Sequence, residues 1–259
     1  MVKSIGWIIL FGAMLYALMC CYLFIMQRSI LYYPTPPARL PAPPSFTVIH
    51  DGHTLEVFKI ERNSDRAVIY FGGNAEDVSL STASFAALFP EHTIYLPCYR
   101  GYGNSSGHPS EQALVTDALF LYDLIDKDFG DITLFGRSLG SGIAIQLAAQ
   151  RPANRIILAT PYDSMARVAH HYYPFFPVTL LLKDKFDSLD KARQIGVPTL
   201  LLIAEHDEVI PRQNSDRLAA ALSPETTKVE IIKGTGHNSI DLSPDYSQVI
   251  RTFLQTFSQ

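Results

Sequence analysis

Cysteine is scarce in this chain, three among 259 residues, and two of the three, Cys20 and Cys21, are neighbours in an apolar run. No stapling disulfide framework fits that count and spacing, and the redox compartment stays open. Charge is scarce too: Asp, Glu, Lys and Arg make up 18%, with 21 basic residues against 25 acidic ones and a net charge of −4. Phosphate-backbone binding needs a clustered basic excess, so a nucleic-acid partner is not expected. No internal repeat is visible. What the chain has in plenty is apolar surface, 47% of its residues. Burial on that scale offsets the entropy of ordering, which excludes a disordered or low-complexity chain. The length admits one large domain or two small ones.

Residues 5–26, IGWIILFGAMLYALMCCYLFIM, carry no charge. As a helix they would reach about 33 Å at 1.5 Å per residue, enough to cross a hydrocarbon core. The run is longer than a signal-peptide apolar region and no small-residue cleavage pattern follows it. Residues 1–28 therefore read as a single N-terminal membrane anchor, with a cleaved signal and a buried core helix as the alternatives. Lys3 precedes the span and Arg28 and Arg39 follow it, which leaves its orientation open. A linker over 29–45 comes next, and its stretch YPTPPARLPAPP holds six of the 17 prolines. Two readings stand side by side: a semi-rigid polyproline II spacer, or irregular coil lying on the domain surface.

From residue 46 to 259 the pattern is that of one α/β domain. Two β-rich runs, SFTVIH and TLEVFKI, flank Asp51-Gly52, a strong hairpin signal and the start of an antiparallel edge. Short continuous apolar runs follow (AVIYF, TIYLP, ITLF, RIILAT, PTLLLIA, VEIIK), as in parallel strands buried on both faces. They alternate with helical spacing over 79–89, 111–128, 139–150, 212–222 and 245–257. The expected fold is a doubly wound, mostly parallel sheet. Residues 162–193, aromatic and proline-bearing, break the alternation as an insertion.

The strand at 131–135 runs into Gly136-Arg137-Ser138-Leu139-Gly140 and straight on into a helix. A serine in such a strand–turn–helix elbow is held above the sheet, and small flanking residues are needed where a side chain would strike the neighbouring elements. The bare pattern is weak, for Gly103-Asn104-Ser105-Ser106-Gly107 matches it as well. That second match lies past its strand among turn residues and starts no helix, so it reads as a surface loop. Ser138 is the candidate nucleophile, against the plain alternative of a helix-capping serine.

A nucleophilic serine needs a base, and His237 follows the last strand in Gly234-Thr235-Gly236-His237-Asn238. The remaining histidines have plainer accounts. His50, His53, His92 and His108 fall before the elbow among turn signals, and His206 touches a strand end. His170 and His171 are adjacent and would point apart on a helix, so no metal site is expected. The acid that orients the imidazole should end the preceding strand, where Asp207 stands; Asp163 is the runner-up, with helix capping as its simpler role. Glu205 and Glu208 beside Asp207 read as solvated. The order Ser138, Asp207, His237 is the one used on sheets of this class. A developing oxyanion requires backbone donors, one from Leu139 and one from Phe71-Gly72-Gly73-Asn74-Ala75. Asn74 is the first candidate for the second donor, with Gly73 or Ala75 one residue of register away.

Four segments in order, FGGNAED, YRGYGNSSGHPSE, GRSLGSG, and HDEVIP with GTGH, resemble the α/β-hydrolase superfamily. More narrowly, with PYDSMARVAHHYYP and KFDSLDKARQIGVPTLLL, the chain is similar to its membrane-associated serine hydrolases, the group that includes lysophospholipases and protein depalmitoylases. The resemblance runs from about residue 31 to the C-terminus. It implies Ser138 as nucleophile, Asp207 as acid, His237 as base, and Asn74 and Leu139 as oxyanion donors. Many relatives have His-Gly where this chain has Gly72-Gly73, so the loop's hydrogen-bonding support lacks its usual source while its backbone donors remain.

The expected activity is hydrolysis of an acyl ester or thioester through an acyl-enzyme, without cofactor or metal, by a monomer whose substrate is a lipid or an S-acylated protein. The insertion at 162–193 lies where such hydrolases carry a lid. Its Tyr162, Tyr172, Phe175 and Phe176 are candidate substrate contacts, with simple packing on the domain as the equal alternative. A serine peptidase of the same fold and a catalytically silent, membrane-tethered interaction module are the rival functions; the first predicts a large gating domain, the second damaged motifs.

Overall fold

The computed structural model describes residues 2–39 and 41–256. Met1, Leu40 of the proline-rich stretch, and residues 257–259, which include the expected last residue of the final helix, lie outside the described residues, as do the side chains of Val2 and Lys3. Eight strands make one sheet: β1 (Ser45–His50), β2 (His53–Ile60), β3 (Arg66–Phe71), β4 (Thr93–Pro97), β5 (Asp131–Arg137), β6 (Arg155–Ala159), β7 (Thr199–Ala204) and β8 (Thr227–Ile232). The helices are α1 (Val2–Leu31), α2 (Thr82–Leu88), α3 (Glu111–Ile125), α4 (Leu139–Ala148), α5 (Met165–Tyr172), α6 (Val178–Leu181), α7 (Ser188–Ala192), α8 (Arg212–Ala221) and α9 (Pro244–Thr256).

The sheet order is β1-β2-β4-β3-β5-β6-β7-β8. β1 and β2 pair antiparallel, as do β2 and β4, and every later pairing is parallel. Asp51 and Gly52 make the first turn with φ of 49° and 75°, the doubly positive geometry that matches hairpin twist. Every residue of β6 and β7 is buried, so both faces of the central sheet are covered. One run of helix contacts joins α3, α4, α7 and α8, and another joins α2 to α9. This is the doubly wound architecture expected of the alternating pattern, and the α/β-hydrolase fold that the resemblance implies. β8 departs from the expected two-sided burial: it is an outermost strand and stays half exposed, with Val229 and Ile231 open to solvent.

Two helices begin or end differently from the apolar spacing. Residues 78–81 form a tight 3₁₀ turn before α2, where Asp77 accepts from the Ser79 N–H, and residues 126–128 form another after α3. The insertion contains three short helices, α5, α6 and α7.

At the N-terminal end, α1 runs three residues past the expected boundary, to Leu31. It is the one described helix long and apolar enough to cross a membrane, and none of its apolar window is buried. The proline-rich stretch lies along the domain as coil rather than standing off it: the Gly103 N–H donates to Thr35 O at 3.0 Å, the Lys59 N–H donates to Pro44 O at 3.0 Å, and Ala38 packs on the core.

Candidate active site

The turn between β5 and α4 is built tightly. Ser138 has φ 49° and ψ −116°, a sparsely populated backbone conformation for a residue with a Cβ. Its N–H donates to Ala159 O on the neighbouring strand at 2.9 Å, and its carbonyl accepts from the Ser141 N–H at 2.9 Å and the Ser141 hydroxyl at 2.6 Å. A Cβ on Gly140 would collide with the backbone carbonyl of Phe71, and one on Gly136 would lie 2.6 Å from the Ser141 Cα. The small residues thus let α4 start directly against β3 and β5.

The Ser138 hydroxyl lies 2.9 Å from His237 Nε2, and His237 Nδ1 lies 2.9 Å from both oxygens of Asp207. A carboxylate only accepts, so Nδ1 carries the proton and Nε2 is left to accept from serine. Asp207 Oδ1 also accepts the N–H groups of Val209 at 2.9 Å and Ile210 at 2.7 Å, which fixes the carboxylate. Sequence separations of 69 and 30 residues between these groups collapse because β5, β7 and β8 end on one edge. His237 is buried. Its loop is held by the two acids expected to be solvated: Glu208 accepts the His237 N–H at 3.0 Å and Glu205 accepts the Gly234 N–H at 2.8 Å.

Asp163, the alternative acid, does not approach the imidazole. It is fully buried and accepts from Asn214 Nδ2 at 2.7 Å and Arg217 Nε at 2.6 Å, binding the insertion to α8. The second Gly-x-Ser-x-Gly match is also structural. The Ser105 hydroxyl donates to Cys98 O and accepts from the Glu56 N–H, both at 2.9 Å. Among the described residues no group of three histidines, cysteines or acids is placed to hold a metal ion.

The Gly73 loop faces the serine, since a Cβ there would sit 3.8 Å from the Ser138 Cβ. Of its amides, Gly73 N–H donates to Glu76 Oε2 at 2.7 Å and Ala75 N–H to Asn74 Oδ1 at 3.1 Å. Gly73 and Ala75 are therefore committed within the loop, and of the three candidate amides that of Asn74 is not. The Leu139 N–H opens α4, where the helix has no carbonyl to offer it.

Support for this loop comes from residues that the sequence alone did not single out. Glu76 accepts from the Tyr70 hydroxyl at 2.6 Å and the Ser81 hydroxyl at 2.9 Å and faces Arg137 at 3.4 Å; the Tyr99 hydroxyl donates to Gly72 O at 2.6 Å. Burial pushes the Tyr70 and Tyr99 hydroxyls well above their ordinary range, so both stay protonated donors.

Ser138 and Asn74 line an apolar cleft of about 530 Å³, within the range of small-ligand sites. Tyr172 and Phe176 of the insertion line it. The other two aromatic candidates do not. Tyr162 is fully buried beneath α4 with its hydroxyl donating to Leu139 O at 3.3 Å, and Phe175 turns outward, 85% exposed. A further set of lining residues, Leu23, Gln27, Ile30 and Leu31, comes from α1. The polar pair Gln27-Arg28 at the end of the apolar run was the one signal of this contact.

No protein-family model matches the chain. An uncharacterised protein of Mycobacterium tuberculosis is 32% identical over 236 residues, covering 85% of this chain and 84% of that protein. The lysophosphatidylserine lipase ABHD12 of Xenopus tropicalis is 32% identical over 243 residues; the match takes in 80% of this chain but 62% of the lipase. Among solved structures, the esterase Pf2001 of Pyrococcus furiosus superposes with a TM-score of 0.68 at 15% identity, over 87% of this chain and 98% of the esterase. That last likeness is one of fold.

Proposed function

The chain belongs to the α/β-hydrolase superfamily, and on that premise we propose that it is a membrane-anchored serine hydrolase cleaving ester or thioester bonds of single-chain acyl substrates. The observation that carries this reading is the continuous hydrogen-bonded line from Asp207 through His237 to Ser138, opening on an apolar cleft.

In the reaction, Ser138 Oγ attacks the acyl carbonyl carbon while its proton passes to His237 Nε2. The carbonyl π electrons move onto oxygen, where the N–H groups of Asn74 and Leu139 stabilise the anion. As the tetrahedral adduct collapses, the bond to the alcohol or thiol breaks and the leaving group takes the proton from His237. Water then attacks the acyl-serine with the same imidazole accepting its proton; the bond from the acyl carbon to Ser138 Oγ breaks, Oγ takes that proton back from His237, and the carboxylic acid leaves. Asp207 holds the imidazole in one tautomer and stabilises its cationic form. The apolar cleft walls favour a hydrocarbon tail, and anchoring at a bilayer supplies substrates already concentrated there.

Labelling of the full-length protein with a fluorophosphonate probe tests the nucleophile. The wild type is expected to label and Ser138→Ala not to, with turnover of a palmitoyl ester falling by roughly 10⁴ to 10⁶. An unlabelled wild type, or equal labelling of the alanine variant, would overturn the reading.

A further inference from the structure

The C-terminal part of α1 is attached to the hydrolase domain at several points. Arg28 makes a two-pronged pair with Asp184, Nε to Oδ2 at 2.9 Å and Nη2 to Oδ1 at 3.1 Å, and the Asp184 side chain is 5% exposed. Gln27 bridges the insertion through its amide, with Nε2 donating to Leu181 O at 3.2 Å and Oε1 accepting the Lys183 N–H at 2.6 Å. Higher on the helix, the Tyr16 ring stacks on Phe176 with centroids 5.8 Å apart, and its hydroxyl donates to Phe175 O at 2.9 Å. At the lower end, Asn74 Nδ2 donates to Leu31 O at 2.6 Å while Asn74 Oδ1 accepts the Tyr33 N–H at 3.0 Å. The loop that carries the free amide is therefore fastened to the end of the helix.

Leu23, Gln27, Ile30 and Leu31 are spaced at i, i+4, i+7 and i+8, one stripe of an α-helix. That stripe faces the cleft. Off that stripe, Tyr22 and Ile25 are 60% and 70% exposed, and Phe175 and Leu180 of the insertion are 85% and 80% exposed. Arg28 and Lys183 are the first cations below the uncharged run, with Lys183 Nζ 4.3 Å from the Phe24 ring centre, the placement expected of residues at a bilayer boundary.

We propose that the last two turns of α1 form a wall of the acyl-binding cleft, so that the anchor itself guides the chain of a monoacyl membrane lipid from the bilayer down to Ser138. The occupant follows from the lining: apart from Gln27, Asn74, Ser138 and Glu208 the side chains around the cleft are apolar or aromatic, so a hydrocarbon tail lies along them while its carbonyl meets Ser138 and Asn74. This assignment rests on Ser138 being the nucleophile. It makes Ile30 and Leu23 determinants of chain length, Ile30 near the reacting end and Leu23 about 10 Å further up the helix.

The test uses the full-length protein in phosphatidylcholine vesicles, with butyryl, decanoyl and palmitoyl ester substrates and fluorophosphonate labelling in parallel. Ile30→Trp is expected to retain labelling while kcat/KM for the decanoyl and palmitoyl substrates, taken relative to the butyryl one, falls roughly 100-fold, since about three to four methylenes kept out of the cleft are each worth about fourfold. Leu23→Trp is expected to spare the decanoyl ester and lose the palmitoyl one, a graded pattern that misfolding would not produce. Ile25→Trp, on the exposed side of the same helix, should keep the wild-type profile. A wild-type chain-length profile in both Ile30→Trp and Leu23→Trp, or an equal change in Ile25→Trp, overturns the wall while leaving the nucleophile intact. Labelling that is absent, or unaltered by Ser138→Ala, overturns the nucleophile and the wall together.

Discussion

At the scale of single residues, the strained turn at Ser138 depends on the glycines two residues to either side, Gly136 and Gly140, having no side chains. Gly140→Ala would drive a methyl group into the Phe71 carbonyl, and neither backbone can retreat, because both belong to paired central strands or the helix packed on them. The variant is expected to lose about 3 kcal/mol of stability, read as a lower thermal midpoint in detergent, together with its fluorophosphonate labelling. His92 gives a separate pH effect. It is 6% exposed, packs edge-on against Phe89, and neither ring nitrogen has a hydrogen-bond partner among the described residues. Burial pushes its pKa from 6.5 down to about 4. The unfolded chain therefore binds a proton that the folded one refuses, so stability is full above about pH 6.5 and declines as pH falls toward 4. The loss approaches about 3 kcal/mol. Unfolding at pH 7 and pH 4 should show a smaller acid-induced drop in His92→Leu than in the wild type; equal drops would refute the assignment. The positions of Ser138, Asp207 and His237 along the chain were readable because each follows a strand in a recognisable turn. The braces around them, Glu76, Glu205 and Glu208, were not, since a carboxylate reads the same in sequence whether it is solvated or accepts a loop amide.

Among the elements, the strands were the most legible. Continuous apolar runs marked the buried ones, and Asp51-Gly52 marked the hairpin, because both signals act over a few neighbouring residues. The insertion was least legible. Its aromatics divide between core, cleft and surface, and their division depends on how α5 and α6 fold back, a matter no local period expresses. Tyr172 illustrates this: its hydroxyl donates toward the carbonyl oxygens of Glu208 at 3.0 Å and Val209 at 2.8 Å, tying α5 to the loop that carries Asp207. Tyr172→Phe removes that tie and leaves the ring. Its net worth of about 0.5–1.5 kcal/mol predicts a rise of roughly 2- to 10-fold in KM for a palmitoyl ester with kcat nearly unchanged. Steady-state kinetics on vesicles would measure the split, and an unchanged KM would show that the tie does not shape the cleft.

For the whole molecule, a long, mostly apolar helix continues into a domain whose cleft it borders, and this arrangement predicts partitioning. The full-length protein is expected to stay in the membrane pellet after an alkaline carbonate wash, which strips proteins held only by charge; release into the supernatant would contradict anchoring by α1. The sequence by itself determined the kinds of element, their order, the doubly wound sheet and the three chemical groups with their chain order, because periodicity, turn chemistry and the elbow are short-range properties. The tertiary structure alone decided which amide beside Ser138 stays free, which aromatics reach the cleft, and that α1 becomes part of its wall. Gln27 meets a carbonyl 154 residues away, and Asn74 meets one 43 residues away. Contacts of that span arise only when the sheet has brought its strand ends together, so no window along the chain contains them.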